Sequence, residues 1–326
     1  MKKECKKAII VMMLTVLFTV AFHFHAEAEE LSENEQDVTG IYGDETDRIL
    51  TEEEDVAVPD TDMSSWLCQW DESILTVTLM EYYGAEADVQ VPGTVVKDGY
   101  VYGVELMDTV MISRYEYLSA GPFFQNDCIR TVSFQEGVRF RNNSMDRAFY
   151  ECGNLESVTG LPNGVSTKNE AFKDCKSLTW VDGLPTGIEE MQKAFRGCDS
   201  LVEAPEIPEG VLDLFCAFQD CISLTSAPKL PDSALNISYM FLGCNNLEYA
   251  PQIPPNVTDM EGAFADCYEL KEVPDIYSHN LRIADEAFRQ CGKLQQISIE
   301  SDVLESVTRT FYACSSLRKV KLSTNS

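Results

Sequence analysis

Histidine is scarce in this 326-residue chain, at three residues: His23, His25 and His279. Positive charge is short as well, with 25 lysines and arginines against 54 aspartates and glutamates and a formal net charge of −29. There is no Cys-x-x-Cys pair and no glycine-rich phosphate loop, since Gly183 and Gly187 are ordinary turn glycines. Each shortage excludes a class of function. A surface this acidic repels phosphate backbones and anionic bilayers, both of which are gripped through Lys/Arg neutralisation, so nucleic-acid binding is excluded. A Ser-His-Asp or Cys-His site would have to use His279, which stands beside Ser278 without a nucleophile motif. A zinc site lacks ligands. Carboxylates abound, but nothing singles out the facing pair that a glycosidase needs. The expectation is a chain with no catalytic residues, no metal and no cofactor.

Long apolar runs are missing too, with one exception. Lys2, Lys3, Lys6 and Lys7 precede an uncharged, largely apolar stretch from Ala8 to Phe22, and Ala26-Glu27-Ala28 follows. That is the plan of a secretory signal peptide, residues 1–28, and the run is shorter than the roughly 20 residues that span a bilayer. No cysteine closes the run, which argues against a lipid anchor, and Leu322 to Ser326 forms no hydrophobic tail. Cleavage would remove four lysines and two glutamates, taking the net charge to −31. The mature chain is expected outside the cell, secreted or loosely surface-associated, without membrane insertion. Residues 29–62 then hold fourteen acidic residues and one arginine, Arg48. Such a segment cannot offset its ordering entropy by burial and reads as a disordered acidic leader.

What is abundant is repetition. The phrase Ala-Phe-x-x-Cys-x-x-Leu recurs with its phenylalanines at Phe149, Phe172, Phe195, Phe218, Phe241, Phe264, Phe288 and Phe311; Met240 and Thr310 replace the alanine twice. Six of the seven intervals are 23 residues and one is 24. A fixed period of this length marks a solenoid, in which each coil buries its apolar side only against its neighbours. Counted from the phenylalanine, apolar residues fall at −7, −4, 0, +3, +6, +9 and +12, for example Ile188, Met191, Phe195, Cys198, Leu201, Ala204 and Ile207. Leu-x-x-Val/Ala predicts a short parallel strand. Ala, Phe and Cys at 0, 1 and 4 predict a helical or 3-10 turn, because they share one side of such a turn. Two rows of prolines, Pro162 to Pro254 and Pro205 to Pro274, should end the strands early in the middle coils.

Residues 63–122 read differently. Short β-rich runs broken by glycine and proline predict a small β cap and a degenerate first turn, and a solenoid needs such a cap over its first open end. Trp66 and Trp70 are the natural covers. Phe123 stands six residues before Ile129, as each repeat phenylalanine stands before its leucine, with Asn126 where the repeat has cysteine.

The phrases Cys-x-Ser-Leu-x-x-Ala-Pro-x-Leu-Pro and Ala-Phe-x-x-Cys-x-x-Leu resemble the BspA-like leucine-rich repeats of bacterial surface and secreted proteins. The stretch Leu75 to Val104 resembles the unit that often precedes them. The resemblance covers about residues 70–326. It implies an α/β repeat solenoid, a right-handed coil of about nine 23-residue turns over residues 123–326, with short parallel strands and short helical or 3-10 turns. It also implies a role in adhesion to host matrix, host cells or other bacteria, and it carries no ligand residues over.

Eight cysteines share one register: Cys152, Cys175, Cys198, Cys221, Cys244, Cys267, Cys291 and Cys314. Stacked one coil apart, they read as an unpaired, buried structural spine, since a free thiol packs as a small apolar group and parallel neighbours suit S–S geometry poorly. The sequence leaves a bridge between Cys216 and Cys221 open. Two residues after each repeat leucine come Ser157, Trp180, Glu203, Ser226, Tyr249, Glu272, Gln296 and Lys319, one per coil on the expected concave face. Trp180 and Tyr249, with Glu203 and Glu272 between and beyond them, form the candidate binding surface, because exposed aromatics are enriched at interface hot spots. The competing account packs each aromatic on the neighbouring coil. The expected partner is a protein or glycan outside the cell. Alternatives are a carbohydrate-binding or glycan-active protein and a structural component of a surface assembly. Arg318, Lys319 and Lys321 at the far end read as protection of an exposed edge strand.

Overall fold

The computed structural model describes residues 60–108, 110–111, 117–119 and 121–323, within one compact unit, Val56–Ser326. The expected signal peptide and nearly all of the acidic leader lie outside the described residues.

The cap opens with β1 (Trp66–Asp71) antiparallel to β2 (Thr76–Tyr82). Two short strands follow, β3 (Asp88–Val91) and β4 (Thr94–Lys97), and then β5 (Tyr100–Leu106). β5 lies between β2 and β4 in a sheet of order β1-β2-β5-β4. A hairpin of β6 (Val110–Met111) and β7 (Tyr117–Ser119) precedes the first coil. The cap does more than cover. β3 pairs in parallel with β8 (Thr131–Phe134), and β5 with β9 (Arg139–Phe140), so the cap supplies the first rung of one ladder that the coils extend and a second pairing to the first coil. At this junction Gly93 lies against the backbone of Glu136, where a Cβ would sit 1.7 Å from the Glu136 carbonyl oxygen. Trp66 is buried against Tyr82 and Phe123, with ring centroids at 4.8 and 5.8 Å. Trp70 packs on Tyr102 in the same sheet at 4.9 Å.

Behind the cap runs a column of nine phenylalanines, from Phe123 to Phe311. Neighbouring rings stack with centroids 5.1–6.2 Å apart and planes within 2–19°. The other apolar positions stand in parallel columns around it, and Ile188, Met191, Phe195, Cys198 and Leu201 are fully buried in one coil. Stacking of like on like is what gives each coil an interior, since a single turn has none.

One column carries an exception. At −4, between Met145 and Met191, stands Lys168, fully buried. Its Nζ has no hydrogen-bond partner and lies 5.2 Å from the Phe172 ring centroid. Burial holds its pKa well below the ordinary lysine value, which favours the neutral amine.

The coil is a β-solenoid, not an α/β one, and the helical or 3-10 turns expected at Ala-Phe-x-x-Cys do not form. Among the described residues the single 3-10 segment is Arg141–Asn143, outside that phrase. The reason lies in the residues two before and two after each phenylalanine. Arg147 and Glu151 have φ of 57° and 56°, Glu170 and Asp174 have 55° and 61°, and Cys216 and Asp220 have 55° and 61°. A helix requires φ near −60° throughout. Here positive φ falls at the third position of successive turns with i→i+3 hydrogen bonds, as in type II turns. The Ala148 amide donates to the Met145 carbonyl and Cys152 to Phe149, both within the coil. The alternate amides face the next coil, with Arg147 donating to Asn169, Phe149 to Ala171 and Glu151 to Lys173. Hydrogen bonds that a helix would keep inside are divided between the coil and its successor.

The strands follow the prolines. β10 (Ser157–Thr159) and β11 (Trp180–Val181) are short, and coils three to six contribute single bridges, Glu203 to Ser226, Ser226 to Tyr249 and Tyr249 to Glu272. Past Pro274 the ladder lengthens through β12 (Ile276–Tyr277) to the five-residue β13 (Gln296–Glu300) and β14 (Lys319–Ser323), where no proline removes a donor.

Candidate interaction surface

Alternation along each short strand decides what faces out. Leu178 and Val181 point into the core while Trp180 stays 51% exposed, and Tyr249 is equally exposed beside buried Leu247 and Ala250. Parallel pairing of Ser157 with Trp180, of Ser226 with Tyr249 and of Tyr249 with Glu272 puts these side chains in one row. Glu203 holds the same register one coil after Trp180, without a bridge between the two. Strand spacing of about 4.8 Å places Trp180 and Tyr249, three coils apart, at roughly 15 Å. Glu203 and Glu272 are exposed, and among the described residues their carboxylates accept no hydrogen bond and join no ion pair.

Tyr249 has a companion that the sequence reading did not single out. Lys271, from the following coil, places Nζ 6.0 Å from the Tyr249 ring centroid and 2.7 Å from Glu248 Oε2. The Glu248 hydrogen bond raises the lysine pKa and keeps the ammonium charged. Position carried the signal: Lys271 and Glu248 occupy the same slot in successive coils, one residue before the row. At the far end, Lys319 and Lys321 lie on β14, and Lys321 sits 3.7 Å from Glu300 of β13.

The cysteine register lies inside. Cys152 to Cys291 are fully buried and Cys314 is half-buried. Each thiol donates to the carbonyl oxygen of the preceding coil's phenylalanine: Cys152 to Phe123 at 2.7 Å, Cys198 to Phe172 and Cys221 to Phe195 at 3.1 Å, Cys314 to Phe288 at 2.9 Å. All eleven described cysteines are free, so Cys216 and Cys221 are not bridged. Burial pushes the thiols from Cys175 to Cys291 well above their ordinary value, and Cys216 up to about 11. They are thiols rather than thiolates at neutral pH, and a thiol is a poor nucleophile. His279 is exposed, with Nδ1 2.8 Å from Asp302 Oδ2. Among the described residues no cluster of His, Cys, Asp or Glu is placed to hold a metal ion, and no helix is long and apolar enough to cross a membrane. A shallow groove of about 290 Å³ runs along the neighbouring face, lined by Lys229, Leu230, Asp232, Gln252, Pro254 and Tyr277 among others. It holds one carboxylate, where glycoside hydrolysis needs two.

A stack of 23-residue coils closed by a β cap, with an apolar interior and a variable outer row, defines a leucine-rich-repeat solenoid. The model of the BspA type leucine rich repeat region matches in six copies, over residues 96–225, 142–271 and 236–326. The chain belongs to that family. Among solved structures it is similar to a leucine-rich repeat protein from Bacteroides ovatus, at 22% identity and a TM-score of 0.50, over 81% of this chain and 77% of that one. It also matches a leucine rich repeat protein of T. pallidum (21% identity, TM-score 0.41, 80% and 91% coverage). A third match is a leucine rich cell surface protein of Faecalibacterium prausnitzii (20% identity, TM-score 0.33, 82% and 95% coverage). At such identities the likeness concerns the fold. No curated protein matches.

Proposed function

We propose that this is an exported, non-catalytic binding protein that engages a macromolecule outside the cell through the row running from Trp180 to Glu272, in an adhesive or host-interacting role. The observation that carries this reading is the pair of large aromatics left half-exposed in a slot the coil does not need for packing. Exposed Trp and Tyr of this kind anchor protein interfaces, whereas the polar members of such a row mainly tune specificity. Membership of a repeat family built to present a long surface supports the reading, as does the basic-apolar-small pattern of residues 1–28.

The test is capture from extracellular-matrix, mucus and bacterial-surface extracts with the mature chain, beside a Trp180→Ala/Tyr249→Ala variant. A partner retained by the first and lost by the second is expected. Equal capture by both, or none by either, would remove the reading. One observation favours a second account, glycan binding: the Tyr277 groove pairs an exposed ring with Gln252 and Asp232. Oligosaccharide binding abolished by Tyr277→Ala and untouched at Trp180 would put that account first.

A further inference from the structure

The two aromatics of the row differ in one respect. Tyr249 already carries a cation, since the Lys271 ammonium is seated between the Tyr249 ring and the Glu248 carboxylate. Among the described residues Trp180 carries none. Its own coil has Thr179 in the slot of Glu248, and the following coil has Val202, half-exposed, in the slot of Lys271. Negative charge nevertheless gathers around it. Asp182 lies two residues on, just past the end of β11. Glu203 holds Trp180's register in the next coil, and Glu206 follows in that coil. All three are exposed, and among the described residues their carboxylates have no ion pair or hydrogen bond. Elsewhere on the coils acidic groups are commonly matched internally: Glu170 by Arg147 and Lys193, Asp266 by Arg289, Glu248 by Lys271.

Resting on the binding reading above, we infer that Trp180, with Asp182, Glu203 and Glu206, receives a lysine or arginine side chain from an extended basic segment of a partner protein. The chemistry is the one the fold shows at Tyr249, with the amine supplied from outside. Tryptophan is the aromatic that holds a cation best, and an arginine plane stacks on it while reaching a carboxylate. An extended segment suits the spacing, because two of its same-face repeats, about 14 Å, match the roughly 15 Å spanned by three coils. A neutral glycan would satisfy the ring and leave three carboxylates unmatched, so a basic peptide fits better.

The probe is a fluorescein-labelled nine-residue peptide with arginine at alternate positions, titrated by anisotropy into the mature protein. Its citrulline counterpart and a labelled neutral hexasaccharide serve as the other arms. Trp180→Ala should weaken peptide binding roughly 5- to 30-fold, the size of a desolvated cation–π contact, and Asp182→Asn/Glu203→Gln roughly 2- to 30-fold, the size of two exposed ion pairs. Glu136→Gln/Glu189→Gln removes the same charge at positions outside the Trp180 row and should change it less than 2-fold. The citrulline peptide and the hexasaccharide should bind no better than to Trp180→Ala. Unchanged thermal unfolding of each variant separates a lost contact from a lost fold. If the control pair costs as much as Asp182→Asn/Glu203→Gln, or Trp180→Ala costs nothing, binding is general attraction to an acidic protein and the inference is wrong. The extract capture fails or succeeds independently: a captured partner that the arginine peptide does not displace leaves the binding reading standing and sinks this one. Peptide binding at Trp180 with no captured partner does the reverse.

Discussion

The two ends of the phenylalanine column are built from nearly the same residues and end differently. At the first rung Phe123 is 1% exposed, roofed by Trp66 and Tyr82. At the ninth, Phe311, Cys314 and Leu317 are each only partly buried, and Val320 and Leu322 on β14 are exposed. In the middle coils the same phrase is wholly enclosed. Burial of a coil is thus a property of the coil that follows it, and the energy of a side chain is set by its place in the stack as much as by its identity. This is the nearest-neighbour behaviour of linear repeat proteins.

Six substitutions press on that comparison. Phe218→Ala removes a fully buried ring stacked on both sides and should cost about 3–5 kcal/mol in urea unfolding, whereas Phe311→Ala should cost less than half as much. Equal costs would end the nearest-neighbour account. Lys168→Met restores the column and should stabilise by at least about 1–3 kcal/mol at pH 7, the penalty for an unsatisfied buried polar group, to which the cost of deprotonating the amine adds. The effect has a pH signature. Because the folded-state pKa is depressed, the unfolded chain binds one more proton between that value and the ordinary lysine value near 10.4. Wild-type stability therefore rises with pH across this window relative to Lys168→Met, and the gap between the two midpoints narrows from pH 7 to pH 10. A constant gap would show that the amine does not lose its proton on folding. Cys221→Ala breaks the thiol bond to the Phe195 carbonyl and should cost about 1 kcal/mol, with Cys314→Ala costing less. Trp180→Ala lies outside the stack altogether and should move stability by no more than about 0.5 kcal/mol.

Much of the fold was legible because its main signal is periodic. The 23-residue spacing, the inward columns and the shortening of strands by proline all follow from residue type and position. The turn at Ala-Phe-x-x-Cys was misread because local spacing of apolar groups is the same for a helical turn as for two successive reverse turns. What separates them is backbone handedness at −2 and +2, and the clue lay in substitution between coils. Gly197 and Gly243 stand where Asp174, Asp220 and Asp266 stand, and Gly262 where Glu170 and Lys193 stand. Glycine exchanging with aspartate at one register points to positive φ. Of the candidate surface, the register of Trp180 and Tyr249 could be read from the repeat, because +8 must face away if +6 and +9 face in. The seat of Lys271 on Tyr249 depends on where a long side chain settles, which spacing alone does not specify. Lys168 was visible as the one charged residue in an apolar column, yet only its enclosure on every side makes it unusual.

The amides of Arg147, Phe149 and Glu151 look forward for their acceptors, and each later coil up to that of Phe288 repeats the arrangement. A whole module of 23 residues can therefore be added to or removed from the stack with every donor still finding a carbonyl. A gain or loss of one or two residues inside a coil would throw the tally out of step. Tower height is the easy variable in such a molecule and rung width the hard one.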